Sequence, residues 1–305
     1  MGRRRKSGRN IDGIILLNKA GDKTSNFELQ QVRRLFNANK AGHTGSLDPI
    51  ATGMLPICFG ESTKFSQYLL DSDKGYTVMG KLGEKTETSD REGEIIQTAE
   101  VNVSLEQLQL VLKQFRGEIQ QVPSMYSALK HEGQPLYKYA RQGIVIERQA
   151  RTQQIYLLEL ETFESPYFQL RVECSKGTYI RNLVEDIGDT LGCGAHVTEL
   201  HRDFVGHFDA MDMISFDELE ALKQTQGFEG IDEQLLPVDS AIADMQALTL
   251  TAEMSHYILQ GQAVMIAHAP TDELLRLFSH EGQFLGVAAM DENGLIAPKR
   301  LISSI

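Results

Sequence analysis

Between residues 38 and 60 the chain carries Gly42, Gly45, Pro49, Gly53, Pro56 and Gly60, a density of backbone breakers that rules out a helix there. The segment reads as one long shaped loop, and loops of that length inside a compact domain usually carry function. Regular elements must therefore be built around it. On one side, residues 13 to 18 form a short aliphatic run ending at Lys19, and Ser25-x-x-Glu28 gives a capping-box pattern before Leu29, Val32, Leu35 and Phe36. That predicts strand, turn, helix. On the other side, residues 61 to 70 predict a helix, and residues 75 to 83 a strand in which Tyr76, Val78 and Gly80 share a face.

Further on, Ser104-x-x-Gln107 opens a helix whose Leu105, Leu108, Val111, Leu112 and Phe115 share a face and which ends near Gly117. Asn102-Val103-Ser104 fits a glycosylation acceptor, but no secretory signal precedes it, and the tripeptide is read as capping the helix instead. Residues 168 to 174 alternate as a half-buried strand. Ile180, Leu183, Val184, Ile187 and Leu191 then fall at helical spacing, after a Lys176-Gly177-Thr178-Tyr179 junction that marks a second candidate site. An acidic helical stretch follows from residue 209 to about 246, and short strands at 273 to 278, 284 to 290 and 295 to 302 predict a small β-rich appendage. Neither Gly-x-Gly-x-x-Gly nor a Walker A motif occurs, so the body reads as mixed rather than Rossmann-like.

A chain of 305 residues accommodates one sizeable domain and a smaller second one. No run approaches the roughly 18 apolar residues of a membrane span, and the basic start (Arg3, Arg4, Arg5, Lys6, Arg9) has no apolar segment after it. A cytoplasmic protein without membrane contact is expected. Cys58, Cys174 and Cys193 are odd in number and widely spaced, which predicts free buried thiols. The net charge of −12 is uneven: residues 1 to 208 hold 26 Lys+Arg against 26 Asp+Glu, and residues 209 to 305 hold 4 against 16. A polyanionic partner is therefore not excluded. Residues 123 to 151 combine Tyr126, Tyr137 and Tyr139 with Lys130, Lys138, Arg141, Arg148 and Arg151, as a nucleic-acid grip or simply a solvated charged surface would.

Neither His-Glu-x-x-His nor a calcium loop is present, so no metal is implied. No Gly-x-Ser-x-Gly elbow occurs, and a triad whose members meet only in space stays open. What remains is Asp48, set between Gly45 and Pro49, where proline drives the preceding residue to an extended conformation and gives the carboxylate a fixed direction. An aspartate in this setting also serves as an ordinary turn initiator.

The stretch Ala41-Gly42-His43-Thr44-Gly45-Ser46-Leu47-Asp48-Pro49-Ile50-Ala51-Thr52-Gly53-Met54-Leu55 resembles the signature of the TruB family. It is followed in order by Asp73-Lys74-Gly75-Tyr76, Gly83-x-x-Thr86-x-Thr88-x-Asp90, Pro123-Ser124-Met125-Tyr126-Ser127-Ala128-Leu129-Lys130 and Cys174-Ser175-Lys176-Gly177-Thr178-Tyr179-Ile180-Arg181. The resemblance implies an α+β pseudouridine-synthase-like fold with a mixed, mainly antiparallel sheet flanked by helices and a small C-terminal PUA-like β-barrel. It implies a catalytic domain over residues 1–245, with a thumb-like insert at about 124–152 that closes on RNA, and an RNA-binding domain over 246–305. The implied activity is conversion of uridine to pseudouridine at position 55 in the T arm of tRNA, by a monomer with no cofactor or metal that also touches the acceptor stem.

By the same resemblance Asp48 is the catalytic aspartate, Tyr76 the aromatic under an extruded base, and Arg181 the cation that keeps Asp48 charged. His43, Asp90, Lys130, Tyr179 and Leu200 are implied to bind substrate. Asn18, Ala20, Glu87 and His201 depart from the family pattern. A tRNA-folding chaperone acting independently of catalysis is the alternative, and a small-molecule hydrolase a third reading without a supporting pocket motif.

Overall fold

A computed structural model describes residues 8–271 and 274–303. Of the basic N-terminal residues, Arg3, Arg4, Arg5 and Lys6 lie outside the described part, as does Glu273 of the expected tail strand. Nine strands form the main sheet: β1 (Gly13–Lys19), β2 (Ala41–His43), β3 (Thr52–Phe59), β4 (Lys74–Leu82), β5 (Gly117–Gln121), β6 (Arg151–Glu164), β7 (Tyr167–Cys174), β8 (Ala195–Val205) and β9 (Ile214–Ser215). Their order is β9-β1-β3-β8-β4-β7-β6-β5, with β2 beside β3. Only the β1–β9 and β3–β8 pairs are parallel, which makes the sheet mixed and mainly antiparallel as expected. Helices α1 (Ser25–Leu35), α2 (Ser66–Asp71), α3 (Leu105–Leu112), α4 (Leu136–Ala140), α5 (Ile180–Leu191), α6 (Phe216–Asp232) and α7 (Ala252–Leu259) complete the described helical turns longer than a single 3-10 turn.

The expected loop over residues 38 to 60 is a loop only in its middle, since β2 and the almost wholly buried β3 occupy its ends. The breakers fit for local reasons. Gly53 has φ +94°, and a Cβ there would overlap the Arg202 carbonyl oxygen, so only glycine lets β8 approach β3 this closely. Pro56 directs its carbonyl to the amide of Thr44, just past the end of β2, where no partner requires an N–H from residue 56.

Two local expectations also change, while the cap of α3 is Ser104 in a full capping box with Gln107, as expected. The N-cap of α1 is Thr24, whose hydroxyl accepts from the amide of Phe27, and Ser25 is the first helical residue. The acidic stretch is helical only in α6, interrupted at Gly227 (φ 70°, ψ −149°), and is followed by a short 3-10 turn, Val238–Ile242.

The tail folds into β10 (Ala247–Thr249), β11 (Leu275–Phe278), β12 (Phe284–Met290) and β13 (Ile296–Leu301), a four-stranded sheet in that order. Its first and last strands do not pair, so among the described residues the expected closed barrel is absent and an open sheet with α7 takes its place. The short β10 and the loops between strands leave too little hydrogen-bonded edge to close the sheet on itself. This sheet docks on the body through apolar contacts: Phe284 and Val287 share a cluster with Met54, Phe65 and Val205, and the Phe65 and Phe284 rings meet edge-on at 5.4 Å. Cys58, Cys174 and Cys193 are buried free thiols. No described helix is long and apolar enough to cross a membrane.

Candidate active site

Asp48 stands in the stretch between β2 and β3, and both sides of it are clamped. On the N-terminal side the buried Ser25 hydroxyl accepts from the Leu47 amide at 2.7 Å and donates to its carbonyl at 2.9 Å. On the C-terminal side the buried Lys19 ammonium donates to the carbonyls of Pro49 (3.1 Å), Ala51 (2.6 Å) and Ala20 (2.7 Å). Burial lowers the Lys19 pKa to about 8, although Glu28, Asp48 and other acids oppose the shift. The aspartate is thus a rigidly presented group, more than a turn initiator.

Arg181, one residue into α5, meets that carboxylate. Its Nε lies 2.8 Å from Asp48 Oδ2, and its Nη2 lies 3.3 Å from Oδ1. Nη1 donates to Asp90 Oδ2 at 3.0 Å and to the Thr88 carbonyl at 2.9 Å, and Nη2 also reaches the Tyr126 carbonyl at 2.9 Å. A guanidinium has five N–H donors, and all five are engaged. The Arg181 side chain is 6% exposed and Asp48 is 38% exposed, so the anion keeps an open face while its partner is enclosed. Burial pushes the Asp48 carboxyl above the ordinary carboxylate value; Arg181 and Lys19 pull it down and Asp90 adds to the rise. Arg181 therefore moderates the desolvation without overcoming it.

Other expected site residues fall into two groups. Tyr76 on β4 is buried and pairs across the sheet with Arg202 and Val172, and the charge of Asp48 reaches its phenol. Burial raises the Tyr76 pKa, with the Arg202 charge opposing. Tyr179 precedes α5, with both its backbone groups held at 3.0 Å by the Gln121 amide, and burial raises its pKa. His43 on β2 has its pKa lowered by burial and by Arg202, and its Nδ1 is buried without a hydrogen-bond partner among the described residues.

Asp90 sits behind Arg181 with its oxygens committed to Arg181, the Thr88 hydroxyl (2.6 Å) and the Glu92 amide (3.0 Å), which is the position of an anchor. Lys130 lies apart, in a small hairpin of the insert, where it lines a groove of about 260 Å³ with His131, Arg148 and Arg151. Leu200 borders a cavity of about 230 Å³ with Thr52, Thr77, Met79, Glu199 and His201. Thr77 and His201 alternate with Tyr76 and Arg202 along their strands, so this cavity opens on the opposite face of the sheet, whereas the Leu200 side chain, paired with Val78, is buried on the Tyr76 face. Among the described residues no cluster of three or more His, Cys, Asp or Glu is placed to hold a metal ion.

Residues 33–180 match the N-terminal domain of the TruB family pseudouridylate synthases, residues 181–243 the tRNA pseudouridylate synthase B C-terminal domain, and residues 247–302 the C-terminal domain of pseudouridine synthase II TruB. The curated tRNA pseudouridine synthase B of Tolumonas auensis is 52% identical, over 98% of this chain and 95% of its own. The chain belongs to the TruB family of pseudouridylate synthases. That of Pseudomonas fluorescens is 54% identical to this TruB-family chain over 97% of each. A chain of the solved Cbf5-Nop10-Gar1 complex superposes with a TM-score of 0.73 over 95% of this chain and 84% of its own, at 24% identity, and so shares the fold.

Besides Lys19, read only as the end of a strand, two structural members around Asp48 were not legible in the sequence. Arg202, 2% exposed, donates to the carbonyls of Met54 (2.7 Å) and Gly45 (3.2 Å) and so spans both ends of the Asp48 segment. Ser25 was read only as a cap. Neither has a motif of its own, because each acts on backbone groups. The one available signal was a charged or polar residue at an inward position of an otherwise apolar pattern.

Proposed function

We propose that this chain isomerises uridine to pseudouridine at position 55 in the T arm of tRNA, with Asp48 acting on an extruded nucleotide. The observation that carries the reading is the half-open Asp48 carboxylate, clamped at both flanks and paired at 2.8 Å with a fully engaged guanidinium. Membership of the TruB family and relatives above 50% identity named tRNA pseudouridine synthase B support the reaction class.

The reaction is balanced within one nucleotide. The N1–C1′ bond breaks, a C5–C1′ bond forms, C5 loses its proton and N1 gains one. The ionised Asp48 supplies the anion for cleavage, whether by attack at C1′, attack at C6 or removal of a sugar proton. Extruding a stacked uridine loses stacking energy, which the Tyr76 ring replaces beneath the base. His43 fills space near the flipped nucleotide, and Tyr179 and Leu200 border it. Lys130 and the basic groove of the insert at 124–152 grip the T arm, the catalytic domain spans 1–245, and the 246–305 sheet serves as a PUA-like module toward the acceptor stem. The enzyme works as a cytoplasmic monomer. The groove of Lys130, His131, Arg148 and Arg151 lies apart from Asp48, which favours, as a second reading, tRNA binding and refolding independent of catalysis.

Mapping pseudouridine in a full tRNA transcript after incubation with the enzyme tests the assignment. Product confined to position 55 is expected; product at other uridines with position 55 untouched overturns it.

A further inference from the structure

We infer that Tyr126 is a positioning residue that couples the 124–152 insert to the Asp48 carboxylate through Arg181. The inference rests on the reading of Asp48 and Arg181 given above. Its ground is the use of the Nη2 amino group: one of its N–H bonds goes to Asp48 Oδ1 and the other to the Tyr126 carbonyl, so the orientation of the guanidinium is set jointly by the anion and by the root of the insert. The other two anchors, Thr88 and Asp90, lie outside the insert, in the turn that follows the short strand Glu84–Thr86.

The backbone on either side of the Tyr126 carbonyl is held in place. The Tyr126 amide donates to the Ser124 hydroxyl at 3.0 Å, the Ser127 carbonyl accepts from Tyr137 at 3.1 Å, and the Leu129 carbonyl accepts from Leu136 at 2.7 Å. Movement of α4 is thereby passed to residue 126. Burial and the charge of the nearby Glu87 carboxylate raise the Tyr126 phenol pKa to about 12, and Glu87 directly precedes Thr88 in the turn that carries Asp90. An insert drawn toward bound RNA would shift the carbonyl, re-aim Nη2 and change how strongly Arg181 opposes the desolvation of Asp48. The charged or titratable groups facing Asp48 are Arg181 and Tyr179 from the α5 segment, Asp90 and Glu92 from the turn, Lys19 from β1 and Tyr76 from β4.

The test is a cycle of Tyr126→Phe, Glu87→Ala and the double variant in the full chain, with Glu87→Gln as the conservative control. Single-turnover rates on a T-arm RNA are measured against pH beside the RNA dissociation constant. Tyr126→Phe and Glu87→Ala should each slow the step about tenfold near neutral pH and move the acid limb upward, with RNA affinity held within about twofold. The double variant should be no slower than either single one, and Glu87→Gln, which keeps an acceptor, should recover most of the rate. An unmoved acid limb, or single losses that multiply in the double variant, overturns the coupling. If Asp48→Asn is inactive while Tyr126→Phe matches the parent, the coupling alone fails; if Asp48→Asn remains active, the reading beneath it fails.

Discussion

At the scale of single residues, the site is a contest between burial and charge. Burial leads for Asp48, so its pKa lies above the ordinary aspartate value near 3.9. In the proposed function the anion is the working form, so the rate should fall as pH drops through that raised value. A pH profile of single-turnover rates should therefore show an acid limb above the ordinary aspartate range, and one at or below that range would show that Arg181 dominates instead. Lys19 gives a second prediction. Lys19→Met leaves three carbonyls without their donor and should lower stability by roughly 2–4 kcal/mol, read from urea unfolding. Its pKa is about 8 folded against 10.5 unfolded, so between those values the unfolded state binds the extra proton and the parent gains stability as pH rises. The gap between parent and Lys19→Met should widen from pH 7 to pH 10. The pairing of Arg181 with Asp48 was legible in the sequence through their motif contexts. The clamps on Asp48 were not, because Lys19, Ser25 and Arg202 bind backbone carbonyls and amides, which look alike at every position.

At the scale of elements, glycines and prolines misled where they permitted close packing. The alternation in β4 and the helical spacing in α5 were readable because one face of each is buried and the other partly wet. β3 is buried on both faces and shows no alternation, so its Gly53 and Pro56 dominated the reading. Gly53 is nonetheless the residue that lets β8 lie against β3 and brings Arg202 to the Asp48 segment. Gly53→Ala should destabilise the fold by about 2 kcal/mol or more, from a positive φ and a backbone overlap together. A melting temperature within a degree of the parent would contradict that packing. The α1 start shows a finer limit: Thr24 and Ser25 are both capping types, and only the tertiary contact with Leu47 decides that Thr24 caps while Ser25 turns inward.

For the whole molecule, the order of body and β-rich tail was legible from strand spacing, and barrel closure was not, because it depends on edges that meet only in space. The apolar seam between the two parts involves Phe65 and Phe284. Phe284→Ala should destabilise by roughly 3 kcal/mol, and removal of residues 246–305 should leave a body that binds a hydrophobic dye and melts earlier. A truncated body as stable as the full chain would show the seam to be weak. The neutral first two-thirds and the acidic last third fit an RNA contact in which electrostatic attraction comes from the body and insert and the tail adds little of it. All these scales converge on one carboxylate. The decisive measurement is single-turnover conversion of a T-arm RNA by Asp48→Asn, with RNA binding measured on the same preparation. The account predicts parent-like binding and loss of pseudouridine formation by several orders of magnitude; near-parental turnover would contradict it.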